Sequence, residues 1–162
     1  MEPKTLIVYL SLSGNTRKFA HAIASCLDNV DVKEVVLFTS IPKSKFGLVF
    51  KFGIYSLFKI PFSMKVPKVD IQEYETIVLG SPIWMGKVAI PLLQAIKKWN
   101  FRGKKVALFL THNGDDGNAI EDFKTELNLT NLTGALSLIG SQEVNCDEVK
   151  EKIKRFITNL EA

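Results

Sequence analysis

Two short segments of this chain are apolar at every position: Ile77-Val78-Leu79-Gly80 and Val106-Ala107-Leu108-Phe109-Leu110. Successive side chains of a strand point to opposite faces, so strands of this composition are buried on both sides. A parallel sheet covered by helices on both faces demands that pattern. Around these segments, apolar runs alternate with helical periodicity from end to end. The spacing predicts strands at Thr5–Leu10, Asp31–Val36, Thr76–Ser81, Lys105–Thr111 and Leu132–Ile139. It predicts helices at Thr16–Leu27, Val88–Trp99, Asn118–Leu127 and Asp147–Leu160. The order reads βαβ(insert)βαβαβα, a doubly wound five-stranded parallel α/β sheet. With 162 residues, one domain spanning 1–162 can bury its own core.

Ligands of such sheets sit at the carboxyl ends of the strands. Three segments end there. The first, Ser11-Leu12-Ser13-Gly14-Asn15-Thr16, joins an apolar strand to a helical pattern. A turn of this kind directs backbone N–H groups to one point, and the helix dipole adds partial positive charge. Its hydroxyls add donors, and Gly14 lets the backbone come close. The ligand that suits it is a phosphate monoester. No Lys follows the glycine, so it is not a nucleotide-triphosphate loop, and it is not G-x-G-x-x-G. The alternative is an ordinary βα turn with a Ser or Asn cap.

The second segment is Gly80-Ser81-Pro82-Ile83-Trp84-Met85-Gly86, in which two glycines flank an aromatic. Trp84 either packs in the core or offers a flat surface to a planar ring. The third, Thr111-His112-Asn113-Gly114-Asp115-Asp116-Gly117, has polar groups and glycines but no aromatic. Asp115 and Asp116 read as turn or capping residues, with partner steering as the alternative. No Ser–His–acid or paired-carboxylate arrangement points to hydrolysis, and no catalytic residue is assigned.

The net charge of +4 is local. Residues 41–68 hold six lysines and no acid, which leaves −2 on the remainder. A nucleic-acid-coated surface is not indicated. Cys26 and Cys146 lie in no motif and read as free thiols, and His21 and His112 stand apart, so no metal is expected. The start of the chain has no signal-peptide form and no apolar run reaches membrane-spanning length, so a cytoplasmic location is expected.

Residues 41–68 interrupt the path from the second strand to the third. Within Lys45–Ile60, Lys45, Lys51, Ser56 and Lys59 fall on one side of a helical wheel. A core-covering helix with a lysine-bearing solvent face is the preferred reading. A dimer interface or substrate lid and a membrane-surface helix over 45–60 stay open.

The Ser-x-Ser-Gly-Asn-Thr loop, the stretch Val78–Gly86 and Leu108-Phe109-Leu110-Thr111 before a glycine-rich turn together resemble the flavodoxin family. The resemblance covers nearly the whole chain and implies the flavodoxin-like strand order 2-1-3-4-5. It implies non-covalent FMN as cofactor. The phosphate would lie on Ser11, Leu12, Ser13, Gly14, Asn15 and Thr16. The ring would lie between Pro82, Ile83, Trp84, Met85 and Gly86 on one side and Thr111, His112, Asn113 and Gly114 on the other, with Trp84 against one face. The implied activity is electron transport, or that of a small quinone-reductase-like flavin oxidoreductase. Its partner would be a redox protein or a small redox substrate. This chain departs from the typical member in being basic and in lacking a third-loop aromatic, which leaves one ring face open. The alternative function is a phosphate-ligand or protein-binding module that kept the fold without redox activity.

Overall fold

Among the described residues the sheet holds seven strands in the order β3-β2-β1-β4-β6-β7, with β5 paired to β4 alone. They are β1 Thr5–Leu10, β2 Val30–Leu37, β3 Met64–Lys65, β4 Thr76–Trp84, β5 Lys87–Val88, β6 Lys105–His112 and β7 Gly134–Ile139. The helices with described bounds are α1 Asn15–Ala24, α2 Ile90–Ile96, α3 Ala119–Glu126 and α4 Asp147–Glu161. This computed structural model describes residues 4–38, 47, 54, 61–129 and 132–162.

The five long strands β2-β1-β4-β6-β7 are mutually parallel. The expectation of five strands and an all-parallel sheet is corrected at two places. Met64–Lys65 pairs antiparallel with Val36–Leu37 at the β2 edge. Lys87–Val88 folds back antiparallel on Ile83–Trp84. The second correction has a local cause. Met85 and Gly86 take φ of 54° and 76°, the two positive values of a type I′ turn, which joins strands through two residues. Val88 therefore belongs to a strand, not to the expected helix. That helix begins only at Ile90, with Pro91 in its first turn, where a missing N–H costs nothing.

Alternation along the strands sorts the core into two layers. Leu6, Val8, Leu10, Ile77, Leu79, Val106, Leu108 and Leu110 face α2 and α3, meeting Leu92, Ile96 and Phe123. Ile7, Tyr9, Val78, Ala107 and Phe109 face α1 and α4, meeting Phe19, Ile23, Ile153 and Phe156. Gly80 has no side chain because there is no room for one. A Cβ there would fall inside the Phe109 ring and 2.8 Å from Tyr9 Cβ.

At the amino edge, Tyr74 Oη donates to Asp31 Oδ2 at 2.6 Å and Lys4 Nζ lies 2.9 Å from the same oxygen. The expected helix over Phe46–Ile60 lies outside the described residues apart from Gly47 and Ile54. Of the insert, Phe62 is buried and its N–H donates to Gln94 Oε1 at 2.9 Å. Among the described residues no helix is long and apolar enough to cross a membrane.

Candidate functional site

Register fixes where the three segments emerge. Tyr9, Gly80 and Phe109 stand side by side on β1, β4 and β6, and Pro82 stands beside Thr111. Neighbouring strands are about 4.8 Å apart, so the first, second and third segments leave one edge of the sheet together.

The first segment turns at Gly14, whose φ of 89° is left-handed, and enters α1 with Gly14 as N-cap and no side-chain cap. The Ser11 hydroxyl accepts from Arg17 N–H at 3.2 Å. Lys18 N–H donates to Gly14 carbonyl at 3.0 Å. That leaves the Asn15 and Thr16 N–H groups as first-turn donors, which have no acceptor inside their own helix. Because Ser11 Oγ accepts, its own O–H stays available to donate outward. Ser13 is exposed and Leu12 half-buried.

Thr16 is placed differently from its neighbours. It is 2% exposed, and its Oγ1 lies 2.8 Å from Thr111 Oγ1, itself on a residue 4% exposed. The two hydroxyls thus bond each other and tie the first segment to the end of β6. The cations beside the turn are engaged as well. Arg17 Nη2 lies 2.7 Å from Glu34 Oε1, and Arg17 Nε donates to Glu34 Oε2 at 3.2 Å. Hydrogen bonding to Glu34 raises the Arg17 pKa further, so the guanidinium is firmly charged. Tyr9 Oη donates to Glu34 Oε2 at 3.3 Å, and burial together with that carboxylate pushes the phenol pKa up. Lys18 Nζ donates to the Gln142 carbonyl at 2.7 Å.

In the second segment, Pro82, Ile83 and Gly86 are half-buried. Ser81 Oγ donates to the Pro82 carbonyl and accepts from Ala89 N–H. Met85 is 62% exposed at the hairpin tip. Trp84 is half-buried and packs on the core layer that α2 and α3 cover. With Met85, Lys87, Leu93, Asp122 and Phe123 it walls a cavity of about 330 Å³, bridged by the ion pair Lys87–Asp122 at 3.5 Å. Neither Ser11–Thr16 nor Thr111–Gly114 lines that cavity. It therefore lies on the α2–α3 side of the second segment, and the open N–H groups of Asn15 and Thr16 lie outside it.

In the third segment, His112 Nδ1 accepts from Gly114 N–H at 3.1 Å, which assigns the proton of the neutral ring to Nε2. Asn113 and Gly114 are exposed. Gly117 closes on the second segment. A Cβ there would stand 3.4 Å from the Gly86 carbonyl oxygen.

A fourth segment belongs to the same edge, and the sequence reading did not single it out. Gly140 N–H donates to the His112 carbonyl at 2.8 Å. A Cβ at Gly140 would come within 2.8 Å of Asn15 Nδ2. The available signal was Gly140-Ser141 directly after a strand, a turn dipeptide at a carboxyl end.

These features define a doubly wound α/β protein with two open N–H groups at a helix N-terminus and four loops at one sheet edge. The chain has a flavodoxin-like fold. It is similar to a flavoprotein from Lactobacillus acidophilus NCFM solved in complex with FMN, at 25% identity and a TM-score of 0.70, covering 93% of this chain and 98% of that one. Oxidised flavodoxin 2 from Bacillus cereus matches at 20% identity and a TM-score of 0.61, covering 98% and 97%. The flavodoxin of Streptococcus pneumonia TIGR4 matches at 17% and 0.62, covering 97% of each chain. No family model and no curated protein matches the sequence.

Proposed function

We propose that this chain binds FMN non-covalently at the carboxyl edge of its sheet and works in electron transfer or as a small flavin oxidoreductase. The observation that carries the proposal is the Ser11–Thr16 turn. Its Asn15 and Thr16 N–H groups and its Ser11 hydroxyl remain available for an anion, while Arg17 and Lys18 are engaged elsewhere. A donor set of neutral N–H and O–H groups at a helix N-terminus fits a phosphate monoester. The similar Lactobacillus acidophilus flavoprotein, solved in complex with FMN, supports the choice of ligand.

Ser11, Leu12, Ser13, Gly14, Asn15 and Thr16 would hold the phosphate, Thr16 through its N–H because its hydroxyl faces Thr111. Pro82–Gly86 and Thr111–Gly114 would border the ring. When bound, FMN supplies one- and two-electron redox chemistry. The protein orients it, and the exposed Met85 and Asn113 leave the edge open to a redox protein or a small redox substrate.

Titration of the purified protein with FMN and with riboflavin tests the reading. Saturable quenching of flavin fluorescence, with FMN bound at least tenfold more tightly, is the expected result. Failure to take up FMN, with retained binding of inorganic phosphate, would make the chain a phosphate-ligand module instead. A donor and acceptor screen of the loaded protein then separates the two roles. Turnover of NAD(P)H with a quinone indicates an enzyme, and reduction only through a protein reductase indicates a carrier.

A further inference from the structure

Arg17 sits at the third position of α1, where a cation opposes the positive end of the helix dipole, and α1 has no acid in its first turn to offset it. It also follows directly on the turn that presents anion donors. A free guanidinium there would be a natural phosphate ligand, since its planar fork matches two oxygens at once. In this structure its Nε–Nη2 edge is already taken. Glu34, which stands beside Tyr9 on the neighbouring strand, takes Arg17 Nη2 at 2.7 Å and Nε at 3.2 Å on its two oxygens. Tyr9 Oη donates to Glu34 Oε2 at 3.3 Å, which fixes the carboxylate from the sheet side. Glu34 is 22% exposed against 51% for Arg17, so the acid is the better anchored partner.

We infer that Glu34 is a positioning residue that holds the Arg17 guanidinium away from the Ser11–Thr16 anion site, so that the phosphate is bound by neutral donors and the turn keeps an unused cation in reserve. The inference rests on the proposed phosphate site. It concerns affinity and salt dependence, not the redox step. An anion held by neutral groups depends weakly on ionic strength, whereas one paired to a guanidinium on the surface depends on it strongly.

The test compares wild type, Glu34→Gln, Glu34→Ala, Arg17→Gln and the double variant Arg17→Gln/Glu34→Ala in FMN and riboflavin titrations at low and high salt. Glu34→Ala is included because a glutamine can still accept from the guanidinium. A charge-assisted bond is worth roughly tenfold in affinity. Glu34→Ala should bind FMN about tenfold more tightly than wild type at low salt. Riboflavin should be unchanged, and high salt should erode the gain. Arg17→Gln should match wild type within about twofold, and the double variant should lose the gain. An unchanged FMN affinity in both Glu34 variants would overturn the inference, and so would a gain that survives in the double variant. So would a loss in Arg17→Gln, since Arg17 would then already reach the phosphate. If wild type takes up no FMN, the proposed cofactor fails while the inference is still judged. Inorganic phosphate should then raise the melting temperature of Glu34→Ala more than that of wild type, and an equal rise would overturn it.

Discussion

The hydroxyl pair Thr16–Thr111 makes the sharpest test of how the edge is built. Its oxygens are 2.8 Å apart on residues 2% and 4% exposed, so water cannot replace a lost partner. Thr111→Val keeps the side-chain shape and removes one hydroxyl. It leaves Thr16 Oγ1 buried without its partner, which costs about 1–3 kcal/mol. For a domain of this size that lowers the melting temperature by roughly 2–12 °C. Thr16→Val should cost a similar amount. Replacing both partners by groups of the same shape removes the orphan, so the double variant should be nearly neutral. The four proteins form a double-mutant cycle, read by urea denaturation of the ligand-free protein, with an expected coupling of at least about 1 kcal/mol. Thr111→Ser keeps the hydroxyl and should cost only its buried methyl, about 0.8 kcal/mol. Additive single effects, within about 0.5 kcal/mol, would refute the reasoning, because each hydroxyl would then have another partner.

Three further outcomes follow from named positions. Met85→Asn should stabilise the protein by up to about 1 kcal/mol in urea titration, since Met85 holds φ of 54°, where a non-glycine residue is strained and asparagine is the better tolerated. A simultaneous fall in FMN affinity would indicate that the methionine is kept for the ligand. Gly80→Ala should destabilise by at least about 2 kcal/mol, because its methyl would enter the Phe109 ring, and a melting temperature equal to wild type would contradict this packing. Asp31 has its pKa lowered, first by the Tyr74 hydrogen bond and then by Lys4. A carboxyl held lower in the folded state stabilises fully above its unfolded value near 4 and loses that contribution as pH falls through the folded value. The stability gap between wild type and Asp31→Asn should therefore be flat from pH 7 to 5 and close below about 4. A gap that widens on acidification would reverse the assignment.

The frame of the fold was legible because burial on both faces is written into composition. Ile77–Leu79 and Val106–Leu110 can sit only inside a covered sheet, and both do. The short additions were not legible for an equally physical reason. A two-residue strand has too few positions to show a period, so Lys87–Val88 read as the start of a helix. The decisive signal was the left-handed backbone of Met85, and methionine is a residue that does not advertise it.

The site divides along a similar line. Backbone donors were readable, because a strand, a glycine turn and a helix start fix where the N–H groups of Asn15 and Thr16 must be. Side-chain roles were not, because a hydroxyl serves a ligand and a neighbouring side chain equally well and only the third dimension chooses. Thr16 and Thr111 are separated by 95 positions and choose each other. Arg17 and Glu34 are 17 apart and do the same. In both pairs the sequence shows a group fit to bind a ligand, and the fold supplies a partner from another strand, β6 for Thr16 and β2 for Arg17. The polar character of the edge is thus divided between holding its loops together and leaving a few N–H and O–H groups open. It is on the second, smaller set, on Ser11, Asn15 and Thr16, that the proposed phosphate site rests.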